Sequence, residues 1–383
     1  MQFIILLGIV SLFGDITYEG ARSVAGPYLG ALGASASAVS LVGGLGEFLG
    51  YGLRLASGYL ADRTKSYWSL TFVGYGLLLS IPLLAFAGNW RLAAVLIILE
   101  RMGKAIRSPA RDTMLSYAAK GVGRGWGFAI HEALDQIGAI IGPIMFSLAL
   151  LGQLSYRQGF TLLWIPALLA LFVLATARRK VPSPQRLEVA APTKGAIEGK
   201  LPRVFWLYTA FTLVSVAGFA NFQLVSYHLN VRAVIPDARI PMMYAVAMAV
   251  DAVAALVAGR TYDRIGLLSL LAVPLLTLLI PFLAFSHSYD AVLAGMILWG
   301  AVMGIQETVM RAAIADLTPA ERRGFAYGIF NTMYGAGWLL GGALMGPLYQ
   351  LSINYLILFV VIAELASIPL LFAVQRAVRR LPP

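Results

Sequence analysis

Long apolar runs, separated by short charged breaks, recur along the whole chain and constrain its fold more than any other feature. A helix of about 20 mostly apolar residues is long enough to cross a bilayer. Only 12% of the 383 residues are charged, about half the share usual in a soluble domain. Lipid offers no partner to an open backbone, and no alternating barrel pattern is present. The sequence therefore predicts an all-α membrane protein with many spans.

Twelve runs have the length and polarity expected of transmembrane helices. The first six are residues 3–29, 39–61, 67–87, 92–116, 125–151 and 159–177. The second six are residues 204–229, 242–259, 267–285, 291–314, 324–349 and 353–374. The stretch 178–203 between the two sets is the longest non-apolar segment and contains Pro182, Pro184 and Pro192, which predicts a linker.

The lysines and arginines outside these runs predict the orientation of the chain. Most of them fall in breaks that would face one side of the membrane, and only Arg91, Arg157, Arg232 and Arg239 fall on the other. Because cytoplasmic loops carry the excess of basic residues, we expect both termini and the 178–203 linker to be cytoplasmic. The expected location is the cytoplasmic membrane.

The remaining composition excludes several classes of function. The net charge of +11 sits in short breaks between spans, so topology explains it better than nucleic-acid binding does. The absence of cysteine excludes disulfides, thiolate metal sites and cysteine catalysis. Three scattered histidines predict no metal site, and no Walker sequence or phosphate loop is present. We expect no metal and no cofactor.

Two short motifs repeat in register between the first and second sets of spans. Asp62-Arg63 ends the second span, and Asp263-Arg264 ends the eighth, 201 residues later. Arg124-Gly125 opens the fifth span, and Arg323-Gly324 opens the eleventh, 199 residues later. Two matches at equivalent span ends predict two similar six-helix halves, residues 1–177 and 204–383.

These motifs resemble those of the major facilitator superfamily, and the resemblance covers essentially the whole chain. Gly58, Asp62 and Arg63 match the family's motif between spans 2 and 3, with Lys65 and Tyr67 in place of its usual glycine and second basic residue. The resemblance implies the family's fold, with twelve transmembrane helices in two pseudo-symmetric bundles.

Two further features are similar to the proton-coupled exporters of that superfamily. Arg101 stands where those exporters keep an arginine. Residues 138–143, Gly-Ala-Ile-Ile-Gly-Pro, match the first half of their antiporter motif, although Phe146 and Ser147 replace the Gly-Gly that follows in it. The resemblance implies secondary transport by alternating access.

The Asp62-Arg63 motif can be interpreted as part of a latch, a contact that holds the two halves together on one side. An aspartate at a helix C-terminus is unfavourable against the helix dipole and needs a partner, either Arg63, Arg107, Arg111 or the N-terminus of another helix. Such a contact would be made and broken as the halves rock; the alternative is a simple cytoplasmic turn. The expected gate or latch residues are Gly58, Asp62, Arg63, Arg107, Arg111, Asp112, Asp263 and Arg264.

Ionisable residues inside spans are costly and mark functional sites by default, and most of them here lie in the first half. Helical spacing places Asp15, Glu19 and Arg22 on one face, and we expect His131 to hydrogen-bond Asp135. The predicted midplane set for proton coupling or substrate binding is Asp15, Glu19, Arg22, Glu47, Glu100, Arg101, His131, Glu132 and Asp135.

Within this set, Glu19, Glu47, Glu132 and Asp135 are the candidate proton carriers, because burial disfavours the charged form of a carboxylate. Arg22 and Arg101 would tune these acids or hold an anionic substrate. The alternative is a set of static ion pairs that hold helices together.

The second half carries softer polar groups that suit hydrogen bonding and stacking with an organic solute. Ordinary contacts between helices are the alternative reading. The predicted substrate-cavity residues are Asn221, Gln223, Tyr227, Gln306, Glu307, Arg311, Asn331, Tyr334 and Trp338.

The first functional hypothesis is a monomeric, proton-coupled exporter of a small organic molecule, working by antiport. The second is a symporter or facilitator for an anionic metabolite, which Arg22, Arg54, Arg101 and Lys104 would favour. A membrane-embedded enzyme or sensor is the remaining class. No nucleophile with a base at suitable spacing is present, so we expect no enzymatic activity.

Overall fold

The computed structural model describes residues 1–119, 124–184, 201–318 and 323–379, and these ranges contain helices and connecting turns but no strand. Most of the predicted linker, residues 185–200, lies outside the described residues. The all-α fold class predicted from the apolar runs is confirmed.

The first six predicted spans correspond to eight α-helices and two short 3₁₀ segments. The α-helices are α1 (Gln2–Arg22), α2 (Ala25–Ala31), α3 (Ala36–Thr64), α4 (Tyr67–Leu77), α5 (Trp90–Ala119), α6 (Arg124–Leu151), α7 (Tyr156–Leu162) and α8 (Trp164–Lys180). The 3₁₀ segments Leu78–Ser80 and Pro82–Phe86 continue α4.

The second six spans correspond to nine α-helices, with short irregular helices between some of them. The α-helices are α9 (Arg203–Gly218), α10 (Phe222–Val231), α11 (Ile240–Ile265), α12 (Ala272–Thr277), α13 (Ile280–Ala284), α14 (Tyr289–Ile305), α15 (Arg311–Leu317), α16 (Arg323–Leu351) and α17 (Ile353–Val378). The 3₁₀ segments are Asp237–Arg239 and Gly266–Leu271, and a π-helix, Gln306–Met310, joins α14 to α15.

Nine helical segments in the described ranges are long and apolar enough to cross a membrane. One of them, Asp237–Ala284, is 48 residues long and contains two predicted spans. The fourth span is α5, whose buried charges make it less apolar than the others, and the eleventh is α16, which is 29 residues long. The number of twelve is consistent with these helices and stays a prediction.

The surface of these helices carries the apolar side chains that lipid contact requires. Phe172, Leu256 and Leu351 are each about seventy per cent exposed. Large apolar surfaces of this kind are rare on soluble proteins and mark contact with a membrane or a partner. Together with the long apolar helices, they identify an integral membrane protein.

The repeated motifs lie at equivalent helix ends. Both Asp-Arg pairs fall in the last turn of their helices, α3 and α11, and both Arg-Gly pairs open theirs, α6 and α16. Three residues after each aspartate, the backbone turns into the left-handed region, at Lys65 (φ 53°) and at Gly266 (φ 60°). The same turn therefore follows both motifs, although glycine occupies it only in the second.

Two compact units make up the chain. The first consists of Met1–Gly33, Leu53–Lys194 and Asp237–Ala245, and the second of Ala34–Gly52, Gly195–Pro236 and Val246–Pro383. The predicted division into residues 1–177 and 204–383 stays a prediction.

In the first unit, α1 and α6 pack backbone against backbone. A Cβ atom on Gly138 would lie 2.4 Å from the carbonyl oxygen of Leu12, and one on Gly142 would lie 2.4 Å from that of Ile16. Only glycine permits this approach, as in other close contacts between membrane helices. The two glycines that resemble an antiporter motif thus set the distance between α6 and the helix that carries Asp15 and Glu19.

Candidate functional site

The carboxylate of Glu19 is the centre of a buried charged cluster in the first unit. Arg22 Nη1 lies 3.7 Å from Glu19 Oε2, and Lys104 Nζ lies 4.0 Å from Glu19 Oε1. The hydroxyl of Tyr244 donates a hydrogen bond of 2.6 Å to Glu19 Oε2. One acid therefore connects α1, α5 and the first turns of α11.

Cations also gather around the ring of Tyr18, the residue before Glu19. The Arg101 guanidinium and the Lys104 ammonium lie 4.3 and 4.4 Å from the ring centroid, and Arg22 lies 6.0 Å away. A cation near an aromatic face gains about 0.5–2 kcal/mol, the more so where water is excluded. Tyr18 is buried, so its ring helps to hold three positive charges in a small volume.

A second buried ion pair lies next to this cluster. Arg107 Nη2 is 3.3 Å from Glu100 Oε1, and Arg107 also donates to the carbonyl of Gly74 and lies over the ring of Tyr75. Both partners of the pair are almost fully buried. Arg107 was predicted to be a gate residue, and the structure places it in this interior contact.

Ser11 connects the remaining charges of α5 and α6. Its hydroxyl donates to Asp135 Oδ1 and accepts a hydrogen bond of 2.8 Å from Arg111 Nη1. Arg111 also pairs with its neighbour Asp112 at 3.0 Å. The expected bond between His131 and Asp135 is wrong: Asp135 is bound by Ser11, and the Nε2 atom of buried His131 has no hydrogen-bond partner within the described part of the chain.

Two predicted proton carriers are placed differently from the rest. Glu132 has an exposed side chain, whereas Asp15 and Glu19 are buried. Glu47 is buried but belongs to the second unit, whereas Asp15, Glu19 and Glu100 belong to the first. The structure therefore brings together the predicted residues of α1 and α5, with Asp135 close by through Ser11.

In the second unit, several predicted cavity residues form a connected polar and aromatic group. The Tyr334 hydroxyl donates a hydrogen bond of 3.0 Å to Gln306 Oε1, and its ring lies 6.5 Å from that of Trp338. Tyr51 of α3 meets the Tyr334 ring at 4.8 Å. Gln223, Gln306, Tyr334 and Trp338 are all buried.

The other predicted residues of the second half lie around this group or apart from it. Asn221 caps α10, accepting from the amide of Leu224 and donating to the carbonyl and hydroxyl oxygens of Ser40. Tyr227 packs against the ring of Tyr349. The partly exposed residues are Tyr227, Glu307, Arg311 and Asn331.

The predicted latch residues at the ends of α3 and α11 are exposed, namely Asp62, Arg63, Asp263 and Arg264. Gly58 lies one turn earlier and faces Pro109, to which an added Cβ would make an ordinary contact of 3.6 Å. Arg63 donates to its own helix neighbour Tyr59. The three arginines considered as partners for Asp62 thus make contacts elsewhere in this structure.

Three residues that the structure places in the charged cluster were not predicted from the sequence: Ser11, Tyr18 and Tyr244. Lys104 was predicted only as a residue that favours an anionic solute. Tyr18 carried a usable signal, because helical spacing places it one turn from Arg22. Tyr244 carried none, since it sits in an apolar run 225 residues from its partner.

No group of three or more metal-binding side chains occurs in residues 1–119, 124–184, 201–318 and 323–379. The charged cluster instead suits proton exchange or anion binding, because acids and cations alternate within reach of one another.

Comparison with known proteins identifies the family. The model of the Major Facilitator Superfamily matches residues 5–235 and 227–383. The chain belongs to the major facilitator superfamily. This confirms the resemblance drawn from the Asp-Arg and Arg-Gly motifs, and with it the fold.

Relatives of this superfamily chain extend over nearly its full length. A protein of Mycobacterium tuberculosis described as uncharacterized is 43% identical over 98% of this chain and 93% of its own. An uncharacterized MFS-type transporter of Methanocaldococcus jannaschii is 28% identical over 96% of this chain and 94% of its own. The solved structure of a mutant of the nucleoside transporter NupG superposes with a TM-score of 0.77 over 98% of this chain and 99% of its own, at 14% identity, which shows a common fold. Membership of the superfamily supports secondary transport as the general function.

Proposed function

We propose that this major facilitator protein is a proton-coupled secondary transporter of a small organic solute, with Glu19 as its principal proton carrier. The observation that carries the proposal is the set of contacts at Glu19, where Arg22, Lys104 and Tyr244 all meet one buried carboxylate. An ion pair that only holds two helices together needs a single cation. Glu19 instead contacts two cations and one hydroxyl donor, which lie on α1, α5 and α11.

Protonation of Glu19 would change each of these contacts. The ionised carboxylate attracts Arg22 and Lys104 and accepts from Tyr244; the neutral acid loses the charge that holds both cations. In a medium of low dielectric constant, that loss is large compared with the same change in water. The proton therefore alters the contact between α1 and the start of α11. Alternating access requires contacts of this kind, whose strength differs between the two conformations.

For the direction of transport we propose proton antiport with efflux. Its support is the resemblance at Arg101 and at residues 138–143, whose glycines pack α6 onto α1. The protein would act in the cytoplasmic membrane, with both termini in the cytoplasm, as a monomer and without enzymatic activity.

A symporter or facilitator for an anionic solute is the second candidate. The observation that favours it is the ring of Tyr18, which has the cations of Arg22, Arg101 and Lys104 within 6.0 Å. An anion that bound there would compete with Glu19 for Lys104. Loss of that cation favours the protonated form of Glu19, so binding of the solute would promote proton uptake instead of proton release.

Proton release separates the two candidates. A thermal-shift screen of metabolites and drugs at two pH values would identify a ligand, because binding stabilises the folded state by mass action. The ligand is then added to the purified protein in weakly buffered solution. We expect proton release from the wild type and none from Glu19→Gln. Proton uptake on addition of an anion would favour the second candidate.

A further inference from the structure

Six buried side-chain atoms of the second unit have no hydrogen-bond partner among the described residues. Three of them, Gln223 Oε1, Gln306 Nε2 and Trp338 Nε1, belong to residues that are connected through Tyr334 and α3. None of these residues is more than 4% exposed. Buried polar groups in native proteins are paired with few exceptions, and each unpaired one destabilises the fold. The three atoms on connected residues point to a ligand that supplies the missing partners.

Contacts in the structure connect the three residues. Tyr334 donates to Gln306 Oε1 and lies beside the ring of Trp338, so the free Nε2 of Gln306 is held as a donor. A Cβ on Gly43 of α3 would lie 3.1 Å from Gln223 Oε1, and one on Gly44 would lie 2.5 Å from the carbonyl of Trp338. Gln223 and Trp338 therefore flank the same turn of α3.

The backbone is irregular at two of the three positions. Gln306 is the first residue of the π-helix Gln306–Met310, a form that recurs at functional sites. Gln223 is the second residue of α10, directly after the break that separates this helix from α9. In a membrane, a broken helix is tolerated where it is buried in protein or lines a cavity.

Further aromatic rings pack against Trp338 and Tyr334. The ring of Phe219 lies 5.4 Å from that of Trp338, and the ring of Tyr51 lies 4.8 Å from that of Tyr334. The three unpaired atoms comprise one acceptor and two donors, and none of them carries a charge. Such a set is matched by a flat, uncharged group that both donates and accepts hydrogen bonds.

We propose that Gln223, Gln306 and Trp338 bind an uncharged aromatic group that carries a hydrogen-bond donor and an acceptor, such as an aryl carboxamide or a lactam. The proposal rests on the proposed function in one respect, namely that this group is part of the transported solute. It names a substrate class that the charged cluster around Glu19 does not define.

A matched set of three probes tests the class of ligand. Benzamide, benzoate and cyclohexanecarboxamide are added at equal millimolar concentrations to the purified full-length protein, and the melting temperature is measured. Benzamide has both the ring and the neutral amide, benzoate replaces the amide by a charge, and cyclohexanecarboxamide lacks the flat ring. We expect the largest stabilisation from benzamide. Equal or greater stabilisation by either control, or none by benzamide, would overturn the proposal.

Substitution of one unpaired atom tests the site itself. Gln223→Met keeps the length of the side chain and removes the unpaired oxygen, so we expect the melting temperature of the ligand-free protein to rise by about 2 °C. The same substitution should weaken benzamide binding by about tenfold, the value of one hydrogen bond. The matched control is Asn221→Ala, two residues earlier, which removes an amide with bonds to Ser40 and Leu224 and should lower the melting temperature.

A fall in melting temperature on Gln223→Met, comparable to that on Asn221→Ala, would show that Gln223 is already paired and would contradict the site. The Glu19→Gln variant separates this proposal from the proposed function. Because solute and proton binding are linked, its affinity for benzamide changes, but benzamide should still stabilise it more than benzoate or cyclohexanecarboxamide does. Loss of proton coupling with this order of the three probes kept supports both proposals. If Glu19→Gln retains proton coupling, the role of Glu19 fails and the aromatic site stands.

Discussion

Among single residues, Tyr244 has the most direct influence on Glu19, to which it donates a hydrogen bond. A bond to a charged acceptor contributes about 1.5–3 kcal/mol, more than a bond between neutral groups. We therefore expect Tyr244→Phe to lower the free energy of unfolding by about 2 kcal/mol. Measured unfolding in detergent tests this value.

The matched control for Tyr244 is Tyr208, a buried tyrosine of the second unit, whose hydroxyl donates to the neutral carbonyl of Met310. Tyr208→Phe should cost about 1 kcal/mol. A cost for Tyr244→Phe no greater than that for Tyr208→Phe would show that Glu19 is uncharged in the resting protein, contrary to the role proposed for it.

The turn after the second Asp-Arg motif gives an independent prediction. Gly266 has a φ of +60°, and a Cβ there would meet no atom within 4 Å. Gly266→Ala should therefore cost about 1–2 kcal/mol from backbone strain alone. The control is Gly76→Ala in α4, where a Cβ also meets nothing and where alanine should stabilise the helix by up to about 1 kcal/mol. Equal effects of the two substitutions on the melting temperature would refute this reading.

The sequence predicted part of the charged cluster because local spacing determines it. One face of α1 carries Asp15, Glu19 and Arg22, however the helices pack. The structure contains an ion pair between Glu19 and Arg22. The role of Ser11, which joins Arg111 to Asp135, depends instead on how α1, α5 and α6 pack. No periodicity along one helix contains that information.

At the scale of helices, the break between α9 and α10 leaves backbone groups that need partners. Trp299 supplies one, since its Nε1 donates a hydrogen bond of 2.9 Å to the carbonyl of Ala220. We expect Trp299→Phe to cost about 1–3 kcal/mol more than Trp338→Phe, because the Nε1 of Trp338 has no partner to lose within the described residues.

Both tryptophans are buried, and both substitutions remove the same atoms, so the comparison tests the hydrogen bond from Trp299. Chemical unfolding of the two variants in the same detergent provides the comparison. If Trp338→Phe proves the more costly substitution, the carbonyl of Ala220 does not depend on Trp299.

The sequence predicted where helices end more successfully than where they break. The Asp-Arg and Arg-Gly motifs mark the ends of α3 and α11 and the starts of α6 and α16. The run 204–229 reads as one span, yet α9 stops at Gly218 and α10 begins at Phe222. The break depends on partners from distant segments, Trp299 and Ser40, which an apolar run does not reveal.

At the scale of the whole molecule, alternating access requires some contacts to open during transport. In the first unit, Ser147 at the end of α6 donates to the carbonyl of Ala238, and Tyr156 donates to Asp237. The natural chain has no cysteine, so a Ser147→Cys, Ala238→Cys pair can be oxidised without side reactions. We expect the resulting disulfide to stop transport and reduction to restore it.

Each single cysteine variant is the control for this experiment, and both should transport normally under oxidising conditions. Undiminished transport by the cross-linked protein would show that this contact persists through the cycle. In that case the opening of the molecule would have to occur elsewhere.

Glu19 is proposed to couple the movement of solute to that of protons. The most direct measurement reconstitutes the wild type and Glu19→Gln in liposomes and follows a bound solute under an imposed pH gradient, with solute exchange at equal pH as the control. We predict that the gradient drives net transport by the wild type, while Glu19→Gln retains exchange and loses gradient-driven transport. Gradient-driven transport by Glu19→Gln at the wild-type rate would contradict the claim.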